Sequence, residues 1–286
     1  MRTVTSADGT TIAFEQSGSG PTLVLVGGMF EQRAVDSETA RLAAFAPLAE
    51  HFSVIHYDRR GRGDSGDTQP YSVQREVEDI AAMIDAAGGS AFLSGISSGA
   101  ALAFEAALAL DGRVGGLAMC EAPYTIDAAG REAWSAFQSQ VDTALAEGRH
   151  GDAVGAFMLL LGMPADQLDG MRQVPMWPQW EAVAPTIAYD AAVLGDDGSV
   201  PTERASRLEV PTLIIDCEAT EWPSFRVAAR ALADAVPGAR HMTLKAQTHE
   251  VAPEALAPAL IEFFSPRGSA SSPVSARSGG GTVPRP

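Results

Sequence analysis

The stretch that most constrains this chain is Phe92-Leu93-Ser94-Gly95-Ile96-Ser97-Ser98-Gly99-Ala100. A short apolar run from Ala91 to Leu93 reads as a buried strand, and Ala100 to Leu110 reads as an Ala/Leu-rich helix. Gly-x-Ser-x-Gly stands between them. Turning a strand into a helix over so few residues forces the central one, Ser97, into a strained backbone conformation. Gly95 and Gly99 remove the side chains that would collide there. Ser97 Oγ is then held up at the carboxyl end of a sheet, with the N–H of Ser98 beside it at a helix N-terminus. An inert Gly/Ser turn has the same local pattern, so the rest of the chain must decide between them.

The chain has 286 residues, 46% of them hydrophobic, enough to bury one large core with an inserted subdomain. Its net charge of −16, from 36 acidic and 20 basic residues, argues against nucleic acid or an anionic membrane as partner. Solubility accounts for that acidity. Cys120 and Cys217 end apolar runs and read as buried free thiols, at a spacing that suggests no metal site. The N-terminus lacks an apolar signal region and no run approaches a membrane span, so a cytoplasmic protein is expected. The oligomeric state, a homodimer included, is left open.

Asp8-Gly9 is a turn dipeptide between two β-rich runs, so residues 2–17 are expected to form a hairpin. Thr22 to Val26 is a continuous apolar strand that ends in Gly27-Gly28-Met29-Phe30, where backbone N–H groups are free to face a crevice. Ser37 is read as the cap of a helix through Glu50. Ser53 to Tyr57 is a strand. The charged run Asp58 to Gly66 after it is read as a turn-rich loop whose aspartate and arginines pair with one another. Val73 to Ala87 has helical spacing and Gly88-Gly89 ends it. Strands Val114–Cys120, Thr212–Cys217 and His241–Leu244 follow, with helices at 222–236 and 253–264. Strands separated by such helices make a mostly parallel sheet. Residues 129–148 and 151–161 read as helices of an insert over the carboxyl edge of that sheet. Trp134, Met158, Trp177 and Trp180 in the insert are candidate pocket walls. From Ser265 the chain is poor in large apolar residues and reads as a disordered tail.

The chain resembles an α/β-hydrolase. The matching pieces are the Gly27-Gly28 turn, Asp58-Arg59-Arg60-Gly61-Arg62-Gly63-Asp64-Ser65, the Ser97 elbow, Val210-Pro211-Thr212-Leu213-Ile214-Ile215, and His249 before a closing helix. The resemblance implies an eight-stranded, mostly parallel sheet flanked by helices. Core segments 1–122 and 208–264 would enclose a helical cap at 123–207, with a tail at 265–286. It also implies a small-molecule substrate and neither cofactor nor metal.

A serine hydroxyl needs a base to take its proton. Among the five histidines, His249 lies in a loop that can reach over the strand ends, in the chain order Ser, acid, His of this fold. The position where many relatives carry the triad aspartate holds Thr220, while Asp216 and Glu218 are near but out of step. The other placement known in the fold follows the strand after the elbow helix, and Glu121 stands there. A Ser-Ser-Gly-Ala elbow with a glutamate at this site is similar to the zearalenone-type lactone hydrolases. Glu121 is therefore the candidate acid, with Glu218 and Asp216 as alternatives. The oxyanion hole would use the N–H of Ser98 and one from Gly28 or Met29; Gly27 stands where many relatives have histidine. Serine at position 97 disfavours epoxide and haloalkane chemistry, which needs a carboxylate nucleophile. Hydrolysis of an ester or lactone of a small, largely apolar molecule is the expected reaction. C–C bond hydrolysis, cofactor-free perhydrolysis and a pocket that binds without turnover are the alternatives.

Overall fold

The computed structural model describes residues 1–33 and 45–265. Eight strands form one sheet: β1 (Arg2–Thr5), β2 (Thr11–Ser17), β3 (Thr22–Val26), β4 (Ser53–Tyr57), β5 (Ala91–Ile96), β6 (Val114–Cys120), β7 (Thr212–Cys217) and β8 (Arg240–Leu244), in the order β1-β2-β4-β3-β5-β6-β7-β8. The β1/β2 and β2/β4 pairs are antiparallel and all others are parallel. This is the mostly parallel sheet expected from the alternation of apolar runs and helices. Of the helix expected through Glu50, residues 45–49 are helical and 37–44 lie outside the described residues, as does the expected tail from 266 onward.

Helices α1 (Val73–Ala86), α2 (Ser98–Ala109), α7 (Pro223–Ala235) and α8 (Pro253–Phe264) cover the two faces of the sheet. Successive strand side chains point to opposite faces, and the core divides accordingly. Val24, Leu93, Met119 and Ile214 join α1 and α2 on one side. Leu23, Ala118, Leu213 and Ile215 join Leu260 and Phe264 of α8 on the other. Central strands buried on both faces explain the unbroken apolar runs that mark them in the sequence. Between β6 and β7 the chain builds a helical insert: α3 (Ala128–Ala146), α4 (His150–Leu160), α5 (Trp177–Val183) and α6 (Ile187–Leu194).

Chain order reverses at β3, which has β4 on one side and β5 on the other. The loops leaving β3 and β5 therefore part and open a crevice at the carboxyl ends of the strands. Register aligns those ends: Val26 lies opposite Gly95, Ile96 opposite Cys120, and Cys120 opposite Ile215. The turn from β5 into α2 fits only with glycine at its flanks. A Cβ on Gly95 would lie 2.3 Å from the Gly99 carbonyl oxygen, and one on Gly99 would lie 2.2 Å from the Val26 carbonyl oxygen. Both collisions are with backbone, so the sheet itself would have to move. Gly99→Ala is expected to lose about 1–3 kcal/mol through overpacking, measured as a lowered urea midpoint at unchanged slope.

Candidate active site

Two residues just past adjacent strand ends share an uncommon conformation. Ser97, after β5, has φ 54° and ψ −132°, and Glu121, after β6, has φ 52°. A non-glycine residue on this side of φ is costly and persists only where its surroundings fix it. Here the sheet ladder fixes both. Ser97 N–H donates to the Cys120 carbonyl and Glu121 N–H to the Ile215 carbonyl, each at 2.9 Å. The pairing of β5, β6 and β7 thus runs one step beyond the strands and sets Ser97 and Glu121 side by side.

The Glu121 side chain is fully buried and receives donors from two further loops. Oε1 accepts the Cys217 N–H at 2.8 Å, and Oε2 accepts the Thr220 hydroxyl at 2.6 Å. His249 Nδ1 lies 3.3 Å from the same Oε2. The Thr220 hydroxyl thus supports the Glu121 carboxylate from the loop after β7. The other two carboxylates considered from the sequence go elsewhere. Asp216 Oδ2 lies 2.8 Å from His241 Nε2, and Glu218 accepts the Ala246 N–H at 3.1 Å, pinning the loop that carries His249. That loop is also joined to the one after β7 by Ala219 N–H donating to Gln247 O at 2.9 Å. The His249 ring stands edge-on to Trp222 and Phe225, with centroids at 5.0 and 5.5 Å, and the backbone N–H of His249 donates to Glu221 at 3.2 Å.

Ser97, Ser98, Gly28, Met29 and His249 line one cavity of about 920 Å³, walled mainly by apolar side chains of the insert and of the loop after β7. Of the pocket residues expected from the sequence, Trp134 lines this cavity, and its Nε1–H is tied to the Gly195 carbonyl at 2.9 Å. Trp177, Trp180 and Met158 do not line it. Trp177 is buried within the insert and donates to Glu181, Met158 is buried there too, and Trp180 stacks on Phe30. Large apolar residues in a thin helical insert serve its own core first, and helical spacing does not separate that face from the pocket face. Phe157, Leu160, Trp222 and Phe225 take their place.

The sequence profile of the alpha/beta hydrolase family matches residues 23–255. The chain belongs to the alpha/beta hydrolase family. An alpha/beta hydrolase from Sphaerobacter thermophilus DSM 20745 is 50% identical, with a TM-score of 0.79 over 92% of this chain and 100% of that one. The thermophilic esterase of Thermogutta terrifontis is 22% identical, with a TM-score of 0.68 over 91% of this chain and 96% of the esterase. The enol-lactonase of Burkholderia xenovorans LB400 is also 22% identical, with a TM-score of 0.62 over 92% of this chain and 99% of the lactonase. At 22% identity the likeness is one of fold. No curated protein matches the sequence. Among the described residues no helix is long and apolar enough to cross a membrane.

In this alpha/beta hydrolase the Asp58–Gly66 loop differs from the sequence expectation. Its aspartate and arginines are buried, and they pair with distant partners rather than with one another. Asp58 accepts the Arg33 N–H at 2.6 Å and Arg33 Nε–H at 3.2 Å, while Arg60 donates to Asp79 and Asp8. Arg59 and Arg62 converge on Asp190 of α6, and Arg59 also pairs with Glu76 at 2.7 Å. Asp190 accepts the Ser98 hydroxyl as well, at 2.7 Å. The two arginines then reach the glycine turn: Arg59 Nη1 donates to the Gly27 carbonyl and Arg62 Nη1 to the Gly28 carbonyl. One carboxylate from the insert therefore connects the Ser98 side of the cavity to its Gly27-Gly28 side. Burial works against the charged form of Asp190, but Arg59 and Arg62 outweigh it and hold its pKa below the usual carboxylate range. Nothing local in the sequence marks Asp190; its partners lie up to 131 residues away.

Removing one member of a buried ion network leaves the others uncompensated. Asp190→Asn is expected to destabilise the protein by about 3–5 kcal/mol, read from chemical denaturation. Breaking the exposed Arg207–Glu203 pair with Arg207→Ala is expected to cost less than about 1 kcal/mol.

Proposed function

We propose that this chain is a serine hydrolase that cleaves an ester or lactone of a small, mostly apolar molecule through Ser97, His249 and Glu121. The observation that carries the reading is a fully buried Glu121 carboxylate within 3.3 Å of His249 Nδ1, at the edge of a cavity that Ser97 and His249 both line. With Nδ1 turned to Glu121, Nε2 is the ring nitrogen left to accept the Ser97 proton. Ser97 Oγ attacks the acyl carbon. The proton held on Nε2 passes to the departing alkoxide oxygen, and the acyl group stays on Ser97. Water, deprotonated in turn by Nε2, attacks the acyl-enzyme; the acid leaves and Ser97 regains its proton. Glu121 holds the ring in the tautomer and orientation these transfers need and stabilises the imidazolium formed between them.

Ser98 opens α2, so its N–H has no acceptor within the helix and can bind the developing oxyanion. On the other wall, the N–H of Gly28 or of Met29, both of which line the cavity, would be the second donor. Each such donor contributes about 10²–10³-fold to kcat. The cavity volume of about 920 Å³ suits a substrate of drug-like size or a modest lactone ring. The Ser-Ser-Gly-Ala elbow paired with a glutamate after the next strand favours the lactone within the ester and lactone class, by its similarity to zearalenone-type lactone hydrolases. No step requires a cofactor.

Turnover of p-nitrophenyl butyrate and labelling by a fluorophosphonate test the reading. Ser97→Ala is expected to abolish both. Glu121→Gln is expected to lower kcat by about 10³–10⁴-fold, whereas Asp216→Asn falls far less. Thr220→Val, which removes one donor to Glu121, is expected to cost about tenfold in kcat, or ~1.4 kcal/mol. Retained kcat in Glu121→Gln, or no labelling of the wild type, would overturn the assignment.

A further inference from the structure

We propose that Arg62, aimed by Asp190 and Thr186 of the insert, is a positioning residue for the oxyanion hole: it holds the Gly28 carbonyl and so turns the Met29 N–H toward Ser97. The proposal rests on the serine hydrolase reading above and concerns how that site is kept ready for the developing charge.

The turn after β3 cannot fix its own peptide planes. Gly27 and Gly28 carry no side chain, so the Gly28–Met29 peptide has little local preference for the face it presents. It lies against the nucleophile: a Cβ on Gly28 would be 3.0 Å from Ser97 Cβ and 3.7 Å from Ser97 Oγ. Its orientation there decides its effect. The N–H would stabilise an oxyanion formed at Ser97, and the carbonyl would repel it. The Gly28 carbonyl is taken by Arg62 Nη1 at 2.5 Å and by the Glu31 backbone N–H at 3.4 Å. Among the described residues the one cis peptide is Gln69–Pro70, so the Gly28–Met29 bond is trans, with its N–H opposed to its carbonyl. With the carbonyl drawn to Arg62, the Met29 N–H faces the other way, and Met29 lines the cavity with Ser97.

Arg62 is itself aimed from the insert. Its side chain is buried, and the guanidinium is a planar fork whose nitrogens cannot turn independently. Nε donates to Thr186 Oγ1 at 3.0 Å and Nη2 pairs with Asp190 Oδ2, which leaves Nη1 one direction, onto the Gly28 carbonyl. Thr186 is oriented in turn by donating its hydroxyl proton to the Val183 carbonyl at 2.8 Å. Asp190 Oδ1 also accepts the hydroxyl of Ser98, whose N–H is the other oxyanion donor. Both donors are thus referred to one carboxylate of the insert. Arg60, from the same loop and equally buried, differs. It binds Asp8, Asp79 and the carbonyls of Thr68 and Arg75, all outside the cavity lining.

The test measures Ki for 1,1,1-trifluoro-4-phenylbutan-2-one and for 4-phenylbutan-2-one against hydrolysis of p-nitrophenyl butyrate. With the first, Ser97 Oγ adds to the carbonyl carbon, its proton passes to His249, and the carbonyl oxygen becomes an oxyanion. The second binds without that addition. Wild type is expected to bind the trifluoromethyl ketone tighter by about 10²-fold or more. In Arg62→Gln the ratio of the two Ki values and kcat are each expected to fall by about 10²-fold while KM holds. Arg60→Gln, which breaks a comparable buried ion network, is expected to lose stability but keep the wild-type ratio and kcat. Circular dichroism checks folding. Should Arg62→Gln not fold, Thr186→Val takes its place, with both quantities expected to fall about tenfold. A folded Arg62→Gln, or Thr186→Val in its stead, with the wild-type ratio overturns the proposal and leaves the hydrolase reading standing. So does an Arg60→Gln that lowers the ratio as far as Arg62→Gln. A wild type that turns over no ester and binds both ketones alike ends the hydrolase reading and this proposal with it.

Discussion

The Glu121 carboxylate is the contact around which the site is arranged. Its backbone is held by β7 through the Ile215 carbonyl, and its side chain by the Cys217 N–H, the Thr220 hydroxyl and the His249 ring. Those groups come from β7, the loop after it and the loop after β8. A buried carboxylate without such donors would be costly. With them it becomes a fixed point against which three separate loops are aligned. The Thr220 hydroxyl, after β7, donates to the Glu121 carboxylate, after β6, and so a hydrogen bond joins the two strand ends.

A second buried carboxylate, Asp190, does for the insert what Glu121 does for the sheet. The insert contributes cavity walls, so its position relative to Ser97 decides the shape of the cavity. Apolar packing alone holds surfaces together without fixing register to a fraction of an ångström. The bonds from Arg59, Arg62 and Ser98 to one carboxylate are directional, and Ser98 is the residue next to Ser97. Desolvating so many charges offsets much of the attraction between them. Their effect is better understood as orientation than as net stability.

How much of this was legible in the sequence follows from the range of each interaction. The strands, the elbow and the closing histidine are local signals: apolar runs of strand length, glycines where two backbones touch, a histidine after the last strand. They appear in the structure within a residue or two of where the pattern puts them. Glu121 came into view through the resemblance to lactone hydrolases that carry a glutamate after this strand, and the structure places its carboxylate 3.3 Å from His249 Nδ1. The partners of Arg59, Arg60 and Arg62 were not readable, because a guanidinium carries no mark of which distant carboxylate it will meet. The pocket walls fared similarly. Trp134 faces the cavity while Trp177 and Met158 face the core of the insert, a distinction made by helix rotation and not by residue type.

Four non-glycine residues among those described have left-handed backbones: Phe30, Ser97, Glu121 and Ala246. They follow β3, β5, β6 and β8, and each lies at or within a few residues of a group that lines the cavity or contacts His249. Each such corner costs of order 1–3 kcal/mol, so together they approach the net stability of an ordinary domain, about 5–15 kcal/mol. The sheet beneath must be stable enough to carry them. The cavity is thus set on the least relaxed part of the molecule, and warming would blunt the alignment of those corners before the hydrophobic layers below came apart. Heat tolerance of the catalyst and heat tolerance of the polypeptide are, for this architecture, separate quantities.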